Sequence, residues 1–154
     1  MKLIRVLPLL AVLSLPLAAR ADVAEPAPVP LAFSEFFKRP VGPRGLEPTP
    51  RLISLAGTPI VIEGFLARTS EGQSSLILSP VPVLLGDEDE SLADDLPPSS
   101  VHLHLLQPAL RAAIAQCDGR LAVQGVLGIG PRREDDDRIS FVRIDVRSAR
   151  CLGG

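Results

Sequence analysis

The chain contains no tryptophan and no tyrosine, and its only aromatic residues are five phenylalanines. Binding single-stranded nucleic acid relies on aromatic platforms for base stacking, and those platforms are missing. An excess of positive charge is missing too: 16 basic residues stand against 18 acidic ones, a net charge of −2. Binding to a phosphate backbone depends on Lys and Arg neutralising it, so this balance also argues against nucleic acid. Histidine and cysteine are scarce, at two residues each. Catalytic signatures are absent: no Gly-x-Ser-x-Gly elbow, P-loop, HExxH or dinucleotide fingerprint occurs. The chain therefore reads as non-catalytic. A hydrolase remains as an alternative only if tertiary structure pairs carboxylates across a cleft.

What is present begins with an address. Lys2 and Arg5 precede an apolar run from Val6 to Ala19, followed by the small-x-small site Ala19-Arg20-Ala21. A charged start, an apolar middle and small side chains at the −3 and −1 positions form a secretory signal peptide, so residues 1–21 are expected to be removed. A spanning helix needs about 20 apolar residues, whereas Pro8 and Pro16 interrupt a shorter run. No stable membrane insertion is expected after cleavage. No cysteine lies near the site to take a lipid. Lys2, Arg5 and Arg20 leave with the leader and no acid does, so the remaining 133 residues carry about −5. That length suits one domain with a single core.

The expected compartment, periplasmic or secreted, gives the cysteines a meaning. An even pair in an exported chain reads as one disulfide, Cys117–Cys151. A redox thiol would show instead as a close Cys-x-x-Cys pair.

Residues 22–50 form a Pro-rich lead segment. Pro26, Pro28 and Pro30 favour an extended conformation. Phe33, Phe36 and Phe37 interrupt it and are candidate docking residues, on the domain or on a partner. Pro40, Pro43, Pro48 and Pro50 then point to coil.

The folded domain is expected over residues 51–152. Pro59–Ala67 alternates β-branched and polar residues and predicts a first strand, with Gly64 marking a bulge or sharp coil. Ser75–Ser79 and Val101–Leu105 give the second and third. Pro108–Cys117 predicts a short helix, with Pro108 at its first position and Gly119 as a left-handed cap. Leu110, Ala113, Ile114 and Cys117 would share one face. Arg120–Ile129 and Arg138–Arg147 supply two more strands, joined by a polar loop, Gly130–Asp137. Three strands, a helix and two strands form the element order of a mainly β fold, the small five-stranded OB-type barrel.

From Leu55 to Pro98 the chain resembles an uncharacterised family of exported bacterial proteins. The family's Leu-x-Gly-x-x-Val-x-Ile-x-Gly-Phe opening is matched by Leu55-Ala56-Gly57-Thr58-Pro59-Ile60-Val61-Ile62-Glu63-Gly64-Phe65. Leu76-Ile77-Leu78-Ser79-Pro80 matches its strand running into Pro, and Pro97-Pro98-Ser99-Ser100-Val101 its later Pro-rich stretch. The family's Cys-x-His element has no counterpart between Pro80 and Pro98. The resemblance thus implies a fold and a compartment, and no thiol or metal role is carried over.

His102 and His104 stand two apart on the third strand and project to one face. They could hold two corners of a zinc site, with Asp94 or Asp95 completing it. The plainer expectation is two solvated histidines. The acidic runs Asp87-Glu88-Asp89-Glu90 and Glu134-Asp135-Asp136-Asp137 lack the order of a calcium loop and read as solvated tips. The functional expectation is an exported, non-catalytic binding or accessory module of the cell envelope, recognising a protein or small ligand without a required cofactor. The runner-up is a periplasmic metal-handling accessory using His102 and His104.

Overall fold

Alternating apolar side chains set the strands, and the computed structural model describes them over residues 26–69, 75–85, 96–135 and 137–153. The expected leader 1–21, the turn at 70–72, the acidic run from Asp87 to Asp95 and Asp136 lie outside the described residues. Among those described, no helix is long and apolar enough to cross a membrane.

The elements in chain order are β1 (Val29–Pro30), a 3₁₀ turn (Phe33–Glu35), α1 (Pro50–Ser54), β2 (Pro59–Leu66) and β3 (Arg68–Thr69). Then come β4 (Leu76–Ser79), β5 (Leu84–Leu85), β6 (Val101–Leu105), α2 (Ala109–Ala115), β7 (Arg120–Arg133) and β8 (Ile139–Cys151). The fold is mainly β. Its principal sheet has six strands in the order β1-β2-β4-β6-β8-β7, and β2 also pairs with β7. Strands β6 and β8 run parallel, with Leu103 opposite Ile144, whereas β7 and β8 run antiparallel, with Leu127 opposite Ile144. A separate parallel pair joins β3 to β5.

The sheet thus holds six strands where five were expected. The extra member, β1, comes from the lead segment and pairs parallel with β2 through Val29–Ile60 and Pro30–Val61. It is too short to show a period in sequence. Leu31 and Phe36 follow it into the core, at 4% and 0% exposure. Pro50, expected in coil, opens α1 instead, because the first helical position needs no N–H. Thr49 caps that helix by accepting a hydrogen bond from the Leu52 amide at 3.1 Å.

Both final strands outrun their expected limits, Ile129 and Arg147. A register shift between Ile129 and Arg132 absorbs Gly130 and Pro131, so pairing resumes at Arg132–Ser140. The turn shrinks accordingly: the Glu134 amide donates to Arg138 O at 2.8 Å, and Asp137 takes a positive φ of 62°. In α2, Pro108 is the cap rather than the first helical residue. Gly119 is absent from the left-handed positions, and Gln116 ends the helix by donating to Ala112 O at 3.2 Å. Ile114 and Cys117 are buried as expected, while Ala113 is exposed.

Two glycines permit close approach between strands. A Cβ on Gly64 would stand 2.7 Å from Ser79 O and 2.8 Å from the Phe33 ring. One on Gly125, at a bulge in β7, would collide with Asp145 O and the Ile144 side chain. Any larger residue at either position must push the strands apart.

Candidate functional site: a polar cleft against β6

The alternation of β6 turns Val101 and Leu103 into the core and leaves His102 and His104 on the opposite face. His102 pairs in register with Ile77 of β4, and His104 with Asp145 of β8. His102 is 8% exposed. The expected solvated histidine is therefore found only in part, at His104. The hairpin between β7 and β8 brings Glu134 over the same surface. Together these groups line a cleft of about 390 Å³, with Ser75, Arg111 and Arg132 at its border.

His104 bridges two carboxylates. Its Nε2 lies 2.8 Å from Glu134 Oε2 and its Nδ1 lies 3.3 Å from Asp145 Oδ1. One imidazole donates to both only when both of its nitrogens carry protons. The other Glu134 oxygen accepts a hydrogen bond from the buried Ser140 hydroxyl. The Glu134 side chain is 8% exposed. Its burial alone would raise the carboxyl. The Ser140 and His104 hydrogen bonds, with the charges of His104 and His102, outweigh that and hold it below its ordinary value of 4.5.

A stability consequence follows from that direction. Because the folded value is lowered, the contribution of Glu134 is fully present above pH 4.5 and is lost as pH falls through the folded value. Urea midpoints measured across this acid range should decline less steeply for Glu134→Gln than for the native chain. At neutral pH the substitution should cost about 1.5–3 kcal/mol, the usual range for a hydrogen bond to a charged group. Equal slopes would show that Glu134 is not held by these partners.

Sequence reasoning placed His102 and His104 on one face but missed Glu134, Ser140 and Asp145. Glu134 was read as part of a solvated tip, and its contact with His104 joins residues 30 positions apart. The available signal was faint: Glu134 directly follows a long strand, and Asp145 shares the outward phase of Arg143 and Arg147. The suggested third metal ligands, Asp94 and Asp95, lie outside the described residues. No group of three or more His, Cys, Asp or Glu among the described residues is arranged to hold a metal ion.

The remaining candidates separate. Cys117 and Cys151 form a disulfide, with Cα atoms 5.6 Å apart, joining the end of α2 to the end of β8. A disulfide points to a non-cytoplasmic compartment. Phe36 is wholly buried, whereas Phe33 and Phe37 are partly buried and pack against the core. The rings form a chain, Phe33–Phe36 at 5.5 Å, Phe36–Phe37 at 6.4 Å and Phe37–Phe141 at 6.2 Å. All three docking candidates pack on the domain itself, Phe36 completely.

No protein-family profile matches the chain, and no curated protein does. Among solved structures the finding is different. The fold is similar to that of a DUF3299 family protein. That protein, from Pseudomonas aeruginosa PAO1, matches with a TM-score of 0.50 and 10% identity over 80% of this chain and 95% of its own. At that identity the DUF3299 likeness extends to the fold alone.

Proposed function

We propose that the chain is an exported, non-catalytic binding module of the cell envelope, built on an OB-type barrel and using the cleft against β6 for recognition. The order of pairings supports the barrel: β2, β4, β6, β8 and β7 are joined in turn, and β7 pairs again with β2. In the chain, helix α2 sits between β6 and β7. OB-type barrels share this order, and they bind along the second and third strands and the flanking loops. The corresponding strands here are β4 and β6. The match of Leu55–Phe65 to the exported family fits the same reading, since Gly57 adopts a φ of 75° and Gly64 lies at a close strand approach.

The observation that carries the proposal is the cleft's convergence of polar side chains from three elements: His102 and His104 from β6, Glu134 from the β7–β8 hairpin, and Asp145 from β8. Polar groups that converge on one concavity can fix the orientation of a bound ligand. Its partner is a protein or small ligand outside the cytoplasm.

Site-directed photo-crosslinking in exporting cells tests this. A crosslinker replacing Arg132, on the cleft, should give discrete adducts; one replacing the exposed Gln124 of β7 should not. Adducts from both sites or from neither would reject the cleft as the recognition surface. The metal-handling alternative is separated by calorimetric titration with zinc. Binding tighter than about millimolar that disappears in His102→Ala/His104→Ala would favour it.

A further inference from the structure

The lead segment makes an excursion between Phe37 and Pro48 that the cleft does not use. A bridge between Phe37 and Pro48 closes its base and one between Gly42 and Gly45 closes its tip. The Lys38 amide donates to Glu47 O at 2.8 Å, and the Gly45 amide to Gly42 O at 3.0 Å. The Gly42–Gly45 bridge places Val41 and Leu46 side by side across the two arms. Both are large apolar residues left exposed, at 59% and 45%. They open onto an apolar groove of about 330 Å³ whose floor includes Phe33, Phe37 and Pro98.

The charges around this pair have one dominant sign. Lys38 and Arg44 share a single carboxylate, Glu47, at 3.1 and 2.7 Å. Arg39 has no ion pair among the described residues. The stretch 38–47 is therefore about +2, while the chain as a whole is −2. A local cationic island carrying two exposed apolar side chains is complementary to a surface that is anionic outside and apolar beneath.

We infer that this hairpin is a docking surface for an anionic phospholipid bilayer, with Val41 and Leu46 entering the headgroup layer and Arg39 and Arg44 meeting lipid phosphates. Peripheral binding of this kind combines buried apolar area with attraction to anionic lipid. Two apolar side chains give reversible attachment and no spanning segment. An added peptide strand suits the hairpin less well. Pro40, Pro43 and Pro48 have no N–H to offer, and the Lys38 and Thr49 amides are already spent on Glu47 O and Phe36 O. Bound through the hairpin, the protein stays at the bilayer surface rather than diffusing freely.

Vesicle co-sedimentation of the chain from Asp22 onward, which contains every residue of the core, tests the inference. Vesicles of equal parts phosphatidylcholine and phosphatidylglycerol should sediment the protein, and vesicles of phosphatidylcholine alone should not. Binding should vanish in about 1 M sodium chloride, where screening acts within ~3 Å. Arg39→Gln and Arg44→Gln should each weaken it about fivefold, the factor equivalent to one cation near an anionic surface. Val41→Ser/Leu46→Ser should abolish it while thermal melting shows the fold retained, and Arg132→Gln, on the cleft, should leave it unchanged. Equal binding to both vesicles, no binding to either, or full binding by Arg39→Gln/Arg44→Gln would overturn the inference. A salt-sensitive rise in mass on light scattering without vesicles would overturn it in favour of a second copy.

Discussion

Phe36→Ala should lower the stability of the domain by about 3–5 kcal/mol, the range for removing a fully buried aromatic side chain. Phe36 has no exposed surface and sits between the Phe33 and Phe37 rings. Its carbonyl also accepts the Thr49 amide at 2.9 Å, tying the lead segment to the start of α1. Thr49 returns the link by donating its hydroxyl to Glu35 O. Losing the ring leaves a cavity that these fixed backbone points prevent from collapsing. Urea unfolding of the chain from Asp22 onward measures the loss. Phe33→Ala and Phe37→Ala should cost less, because part of each ring is already in solvent. A Phe36→Ala chain as stable as the native one would mean that the lead segment is a detachable tail rather than part of the core.

Breaking the Cys117–Cys151 bond should cost about as much by a different route. The bond closes a sequence separation of 34 residues. On the chain-entropy account a loop of that length is worth about 4 kcal/mol, because the reduced unfolded chain regains freedom that the bridged one lacks. Cys117 is buried beside Ile114 in the core, so Cys151→Ser is the cleaner change: it leaves the packing of α2 nearly intact. At about 2–4 °C per kcal/mol, its melting temperature should fall by roughly 8–16 °C. Reducing agent should lower the native chain to the same level and leave Cys151→Ser unmoved. Native and reduced chains melting together would show that the bond contributes nothing to stability.

The parts of this structure that were legible are those with a local cause. β2 and β6 were readable because apolar residues alternate over enough positions to define a face, and β4 because a short apolar run, Leu76–Leu78, ends at Ser79-Pro80. The disulfide was readable because an expected export signal leaves only one way to pair two cysteines. β1 was not readable: Val29 and Pro30 are two residues with no periodicity, and only the edge of β2 makes them a strand. The burial of Phe36 was half readable, as an apolar residue needing cover, without an indication of what covers it. Glu134 shows the limit most sharply. Its neighbours in sequence are Arg133 and Asp135, and nothing local separates it from a solvated charge. Its place beside His104 and Ser140 depends on where a shifted hairpin register delivers it.

The position of β8 at the C-terminal end has a consequence for the order in which the domain can assemble. β8 pairs with both β6 and β7, so it supplies two of the joints in the sequence of pairings that leads from β2 back to β2. A chain emerging with its N-terminus first can zip β2 to β4 and β4 to β6 as they appear. It cannot join β6 to β7 through β8 until residues 139–151 are available. Such distant partnerships are slow to form. The sheet therefore keeps β6 and β7 apart until its last strand arrives, and every earlier pairing leaves an open edge in the meantime.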